Sequence, residues 1–253
     1  MTADRGADER GSGSGPRTAR LLADAATGEV LRGHDARHAF RSASLVKPLI
    51  ALDHLRRRGE PTAADRALLE PMLRGSDDAA ASELWDRGGR EAIVRRAAAE
   101  IGLTGTEPPR DPDMWGYVPL TAEDQVRTYR HLLGAGAPGD YVLANLRRYE
   151  VIATDGFDQS FGLPAAGAEP VALKQGWSGF GRGPAEPEPE PGPPAEKIPD
   201  ERIDLESPAM HTTGLIRRDG RLLVVVVCTL HPPGTSWAAA AERITGLTAE
   251  LLG

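Results

Sequence analysis

The stretch RLLVVVVCTL (221–230) constrains this chain most, because Leu222 to Cys228 is apolar without interruption. A run of this length, with four valines in succession, reads as a strand covered on both faces, at the centre of a sheet. Such a strand needs partners. VALKQG (171–176) and MHTTGLI (210–216) lie before it, and ARLLAD (19–24) and EVLRG (29–33) flank AATG near the start. The Gly28 turn makes the latter two a β-hairpin. Between these strands the apolar spacing is helical, over Leu45–Arg58 and over 62–73, 77–86, 90–101, 121–134 and 139–150. A last helix covers Trp237–Leu252. Strands at both ends with helices between them predict an α/β chain of α+β type. One antiparallel sheet is built from both ends, and an all-helical lobe is inserted in it.

The expected boundaries follow. Residues 18–43 and 165–253 form the sheet lobe, 44–164 a reduced helical lobe, and 1–17 a disordered, polar, glycine-rich tail. GPAEPEPEPGPPAEKIPDER (183–202) lies in a Pro/Glu-rich flap of about 181–207, expected to be extended and solvated. A chain of 253 residues, 40% apolar, suffices for one globular domain with a core. Its net charge of −7 argues against nucleic acid or an anionic membrane as partner. Cys228 is the single cysteine, so no intrachain disulfide forms and the redox compartment stays open. No stretch approaches the roughly 18 apolar residues of a membrane span. The first residues, MTADRGADERGSGSGP, lack the apolar core of a signal peptide. They suit either the start of a cytoplasmic chain or the linker of an exported one, and the sequence does not choose.

Positive charge is carried by 27 arginines and only three lysines, Lys47, Lys174 and Lys197. One lysine falls three residues after Ser44, in RSASLVKPLI (41–50). On a helix, i and i+3 share a face. A serine hydroxyl becomes a useful nucleophile when a neighbouring base takes its proton. Lysine can be that base once burial lowers its pKa, whereas the arginine guanidinium stays protonated. A helix beginning near Ser44 tolerates Pro48 and points backbone N–H groups at a developing oxyanion. Ser-x-x-Lys also occurs by chance. Ser76-Asp77-Asp78, in GSDDAAASELW (75–85), equally suits an N-cap with acidic first-turn residues. LKQGWSG (173–179) equally suits a strand lysine before a turn.

In the order S-x-x-K, S-D-x, K-x-G, the three motifs resemble those of serine β-lactamases and penicillin-binding DD-peptidases, over about residues 18–253. The resemblance implies a β-lactamase/transpeptidase-like fold and an acyl-enzyme mechanism on an amide, peptide or β-lactam carbonyl. It implies Ser44 as nucleophile, Lys47 as proton acceptor, Ser76 as relay to the leaving nitrogen, and Lys174 as electrostatic anchor for a substrate carboxylate. The backbone N–H groups of Ser44 and Trp177 would form the oxyanion hole, and Asp78, Gln175 and Gly176 would meet substrate. No cofactor or metal is required, and a monomer acting on a small molecule or peptide is expected.

The chain also departs from that family. Asp78 stands where asparagine is usual, and Gln175 where Thr or Ser is usual. The interval from Ser44 to Ser76 is short. The loop TGTEPPRDPDMWGYVPLTAED (104–124) lacks the glutamate that activates the deacylating water in class A β-lactamases. Glu107, Asp111 and Asp113 are its possible stand-ins or plain loop acids. Trp115 and Tyr117 suit a substrate groove or ordinary packing. TDGFDQSFG (154–162) is a turn-rich loop without a chemical account, and the six histidines show no metal spacing. A peptidase- or amidase-like enzyme is favoured over an efficient β-lactamase. A non-catalytic domain that is acylated or merely occupied, and a biosynthetic acyltransferase, are the alternatives.

Overall fold

A computed structural model describes residues 16–185 and 198–253. The tail, apart from Pro16 and Arg17, and the centre of the Pro/Glu flap lie outside the described residues. The chain opens with β1 (Arg17–Asp24), β2 (Val30–His34) and the two-residue β3 (Phe40–Arg41). The helices α1 (Lys47–Arg58), α2 (Ala63–Arg74), α3 (Asp78–Gly88) and α4 (Glu91–Ile101) follow. Then come β4 (Pro119–Leu120), α5 (Ala122–Gly134) and α6 (Ala137–Leu146). The strands β5 (Pro170–Ser178), β6 (Ala209–Arg218) and β7 (Arg221–Leu230) lead to α7 (Trp237–Leu252).

Five strands form one antiparallel sheet in the order β2-β1-β7-β6-β5, so β7 is central and β5 an edge. The apolar run of β7 explains its place. Val224, Val226 and Cys228 belong to the core under the inserted helices, while Leu223, Val225 and Val227 belong to the core under α7. Side chains alternate along a strand, so a strand buried on both faces must be apolar at every position.

The helices carry their own stop and start signals. Thr62 and Asp65 form a reciprocal capping box on α2, and Thr121 and Ser236 cap α5 and α7. The α1 helix ends in Arg56, Arg57 and Arg58, which suit the negative end of its dipole, and stops at Gly59 with φ 81°. One helix differs from its expected span. α6 occupies 137–146 rather than 139–150, starting early at Ala137 with Pro138 in its first turn. Its C-terminal side gives way to tertiary bonds, with Glu150 N–H on Arg74 O. The β3–β4 pair has no signal in the sequence pattern, because two residues per strand are too short to show a period.

Candidate active site

Ser44 sits in a single 3-10 turn, Ala43–Val46, that continues directly into α1. The chain enters that turn through Ala43 at φ 44°. A left-handed conformation costs a non-glycine residue roughly 1 kcal/mol or more, and the surroundings hold it in place. Pro48 causes no conflict, since it falls in the first turn of α1. Gly176 of β5 lies against the turn. A Cβ there would come within 3.2 Å of Leu45 Cγ, 3.2 Å of Ser42 O and 3.3 Å of Ser44 N. Only a residue without a side chain lets the edge strand approach the Ser44 backbone so closely.

The second motif is both a helix cap and a wall of the site. Asp77 is the N-cap of α3, its carboxylate accepting from Ala80 N at 2.7 Å. Ser76, just before it, takes φ 60°. Asp78 is the first helical residue. This puts Ser76 between the two lysines. Lys174 Nζ donates to Ser76 Oγ at 2.6 Å. Lys47 Nζ lies 3.5 Å from that hydroxyl, 2.5 Å from Ser76 O and 2.6 Å from Asp78 Oδ1. It also stands 4.7 Å over the centre of the Trp115 ring. Lys47 and Lys174 are 0% and 2% exposed.

Burial fixes the electrostatics. It pushes the Lys47 amine below its ordinary range, and the Asp78 carboxylate pulls in the opposite sense. Lys174 is driven further down, by burial and then by the charge of Lys47. The lysines of the first and third motifs thus share one hydroxyl under strong desolvation. Ser44 is itself 6% exposed, and its hydroxyl has no hydrogen-bond partner among the described residues.

Above this floor opens a cleft of about 370 Å³, lined by Ser44, Asp78, Asp113, Tyr117, Asp155 and Trp177 with their neighbours. A larger cavity, about 630 Å³, opens between Arg17, Arg202 and His231, but among the described residues no lysine lines it. The three sequence motifs meet at the smaller cleft.

Of the residues singled out in the sequence, Ser44, Lys47, Ser76, Asp78, Lys174 and Gly176 come together. Trp115 and Tyr117 line the cleft, as does Asp113, which is paired with Arg90. Glu107 instead pairs with Arg202 at 2.6 Å, and Asp111 accepts from Asp113 N. Gln175 does not reach the cleft. Its amide donates to Gln159 O at 2.9 Å and Phe161 O at 2.7 Å, on the other face of β5 from Lys174. The expected role of Gln175 in substrate binding is therefore corrected to one of holding the 154–162 loop. The alternation of LKQGW carried the signal: if Lys174 and Gly176 face the serine, Gln175 cannot. That loop supplies a lining residue sequence reasoning missed, Asp155, which accepts from the Trp177 indole at 2.9 Å.

The described end of the flap is packed rather than solvated. Asp200 and Ile203 are buried, and Arg41 donates to Asp204 O and Ser207 O while binding Ser178 Oγ at 2.6 Å. Arg41 thereby ties this segment to the end of β5.

Together, the sheet, the inserted helices and the three assembled motifs define the fold of the serine β-lactamase and penicillin-binding protein superfamily. Solved structures agree. The structure titled "Structure of PBP-A" covers 96% of this chain and 90% of its own, at TM-score 0.65 and 17% identity. The class A β-lactamase from Mycobacterium abscessus covers 94% of each chain at TM-score 0.66 and 20% identity, and a β-lactamase from Streptomyces albus G covers 95% of each at TM-score 0.64 and 16% identity. At such identities the likeness establishes the fold alone. No family model matches the sequence. Among curated proteins, the "Putative lipoprotein LppW" of Mycobacterium tuberculosis and of Mycobacterium bovis is 34% identical over 183 residues, which is 68% of this chain. The chain spans 58% of the length of those relatives.

Proposed function

We propose that the protein is a serine hydrolase working through an acyl-enzyme on an amide, peptide or β-lactam carbonyl, closer to a DD-peptidase than to an efficient β-lactamase. One observation carries the reading: two buried lysines converge on Ser76, beside a cleft-lining serine whose hydroxyl has no hydrogen-bond partner among the described residues. In this reading Ser44 Oγ attacks the carbonyl and passes its proton to Lys47. The backbone N–H groups of Ser44 and Trp177 stabilise the oxyanion, and Ser76 relays a proton to the leaving group. Lys174 keeps Ser76 oriented. The matching experiment is intact mass after incubation with a penicillin and with a peptide ending in D-Ala-D-Ala. An adduct of one equivalent, mapped to Ser44, supports the reading; its absence with both compounds and with a fluorophosphonate overturns it.

Deacylation separates the sub-classes. A base beside the attacking water is worth about 10² to 10⁴ in rate. Asp113, the loop acid at the cleft, is already engaged by Arg90. A penicillin-derived ester on Ser44 should therefore persist for minutes or longer, while simple esters turn over faster. A second reading, a domain acylated once without turnover, is favoured by the resting contact of Lys47 with Asp78, which ties up the proposed base. Multiple turnover of any ester excludes it.

A further inference from the structure

The cleft mouth and its floor differ in charge. Asp78, Asp113 and Asp155 line the cleft, Asp113 in a pair with Arg90, and among the described residues no lysine or arginine lines it. Both lysines of the site lie beneath it. The link between the two levels is Asp78, whose side chain is 70% exposed while its partner Lys47 is 0% exposed. One carboxylate oxygen thus holds a buried amine, and the group as a whole opens to the cleft. In that pairing Lys47 is an ammonium directed at Ser76 O and Asp78 Oδ1, with the Trp115 ring beside it. An ammonium has no lone pair and cannot take the proton of Ser44. The same cleft is lined by Ser44, whose hydroxyl has no hydrogen-bond partner among the described residues, and by the aromatic residues Trp115 and Tyr117, whose rings suit a cation.

We propose that the acyl substrate of this cleft carries a positively charged group, and that seating this group on Asp78 frees Lys47 to act on Ser44. This rests on the acyl-serine reading above. The ligand cation takes over from Lys47 as counter-ion of Asp78. Lys47, buried and without its counter-ion, passes one proton through the exposed Asp78 to solvent and becomes a neutral amine. Ser44 then gives its proton to Lys47 as its Oγ bonds to the substrate carbonyl and the bond to the leaving group breaks. The other charges near Lys47 are Asp77, Asp155 and Lys174. The first two favour the ammonium and Lys174 opposes it, so Asp78, the nearest, is the one a ligand can reach and exchange.

The test uses three phenyl thioesters of matched length: 4-(trimethylammonio)butanoyl, its neutral carbon isostere 5,5-dimethylhexanoyl, and adipoyl. The full chain is incubated with each, and acylation of Ser44 is timed by mass. The cationic thioester should react at least tenfold faster than the neutral one, and adipoyl slowest. In Asp78→Asn the ratio of cationic to neutral rates should fall below threefold. Equal rates for the three on Ser44 would overturn this inference and leave the serine chemistry standing. A cationic preference that survives Asp78→Asn would also overturn it. No adduct with any of them removes both readings. A second readout does not depend on turnover or on that variant folding. With three lysines in the chain, ¹³Cε-lysine spectra are simple. Tetramethylammonium at 100 mM, against sodium chloride, should move one resonance towards the neutral-amine position; three unmoved resonances would overturn the proposal.

Discussion

The two faces of β5 belong to the same nine residues and do opposite work. Towards α1 and α3 it presents Lys174 and Gly176, one a buried amine held by Ser76 and the other an absence of side chain that lets Ser44 approach. Towards α7 it presents Leu173, Gln175 and Trp177, packed against Phe161 and the rings around Trp237. Phe157 stacks on Trp237 at 4.1 Å, and Trp177 meets Trp237 edge-on at 5.6 Å. The first face concentrates desolvated charge, which is costly and reactive. The second is apolar and hydrogen-bonded, and it fixes where the strand lies. The buried charge of the candidate site is positioned by a strand that packs through its other side.

The largest effects should come from the charged face. Ser44→Ala should abolish fluorophosphonate labelling. Lys47→Arg keeps a charge that can never be removed, so acylation should fall by about 10²-fold or more. Circular dichroism would show the fold retained. Labelling of Ser44→Ala at the wild-type rate would mean that another serine reacts, and near-normal acylation by Lys47→Arg would reduce that residue to structure.

A smaller loss is expected at the contact between β5 and the Ser44 turn. Gly176→Ala places a methyl about 3.2–3.3 Å from three atoms, two of them backbone. The strand and the turn must part by a few tenths of an ångström. Misplacement of about 1 Å can cost about 10²-fold, so a loss of roughly tenfold in acylation is expected, with about 1–3 kcal/mol of stability. Unchanged kinetics would show that the close approach is not needed.

The opposite face should separate stability from chemistry. Gln175→Leu removes two hydrogen bonds to the carbonyls of Gln159 and Phe161, leaving both without that donor. The cost should be about 1–3 kcal/mol, read as a melting temperature lower by a few degrees. Ser44 acylation should change less than about threefold. A change as large as that of Gly176→Ala would erase the distinction between the faces.

Much of this arrangement was legible in the sequence. The uninterrupted run of β7 required a central strand, the Ser76-Asp77-Asp78 cap signal marked the start of α3, and the order of the three motifs singled out residues that the structure brings together. Three things were not legible, each for a physical reason. The left-handed backbone at Ala43 and Ser76 is imposed by tertiary contacts on residues with no preference for it. The grip of Asp78 on Lys47 joins two helices that sequence spacing cannot relate. The part played by loop 154–162 depends on backbone carbonyls, which are the same for every residue type. The turning of Gln175 away from the cleft, by contrast, follows from strand alternation and was readable.

The smallest effect concerns acid, and it sharpens the comparison by asking which face titrates. His211 on β6 stands in register with Gly176. Its Nε2–H donates to Arg41 O at 3.0 Å and its Nδ1 accepts from Thr229 N at 3.3 Å, so the neutral ring uses both nitrogens. A proton on Nδ1 would confront the Thr229 N–H. Burial accordingly pulls His211 down to about 4. A folded pKa below the unfolded value of about 6.5 means that the unfolded chain binds the proton first as pH falls. The stabilisation is therefore complete above about pH 6.5 and is lost progressively towards pH 4. Between pH 7.5 and 5.5 this amounts to about 1 kcal/mol for one histidine. His231, also pulled to about 4 by burial, adds a loss of the same sign, and His38 is shifted in the same direction. Asp24 and Asp65, both held near 2 mainly by hydrogen bonds, act only below about pH 4, in a separate window. Denaturant unfolding at pH 7.5 and 5.5 should show wild type losing stability and His211→Asn losing about 1 kcal/mol less over the same interval. An equal loss in the two proteins would assign the acid limb to His231 and His38, and the site-facing side of the sheet would then be no more acid-sensitive than the rest.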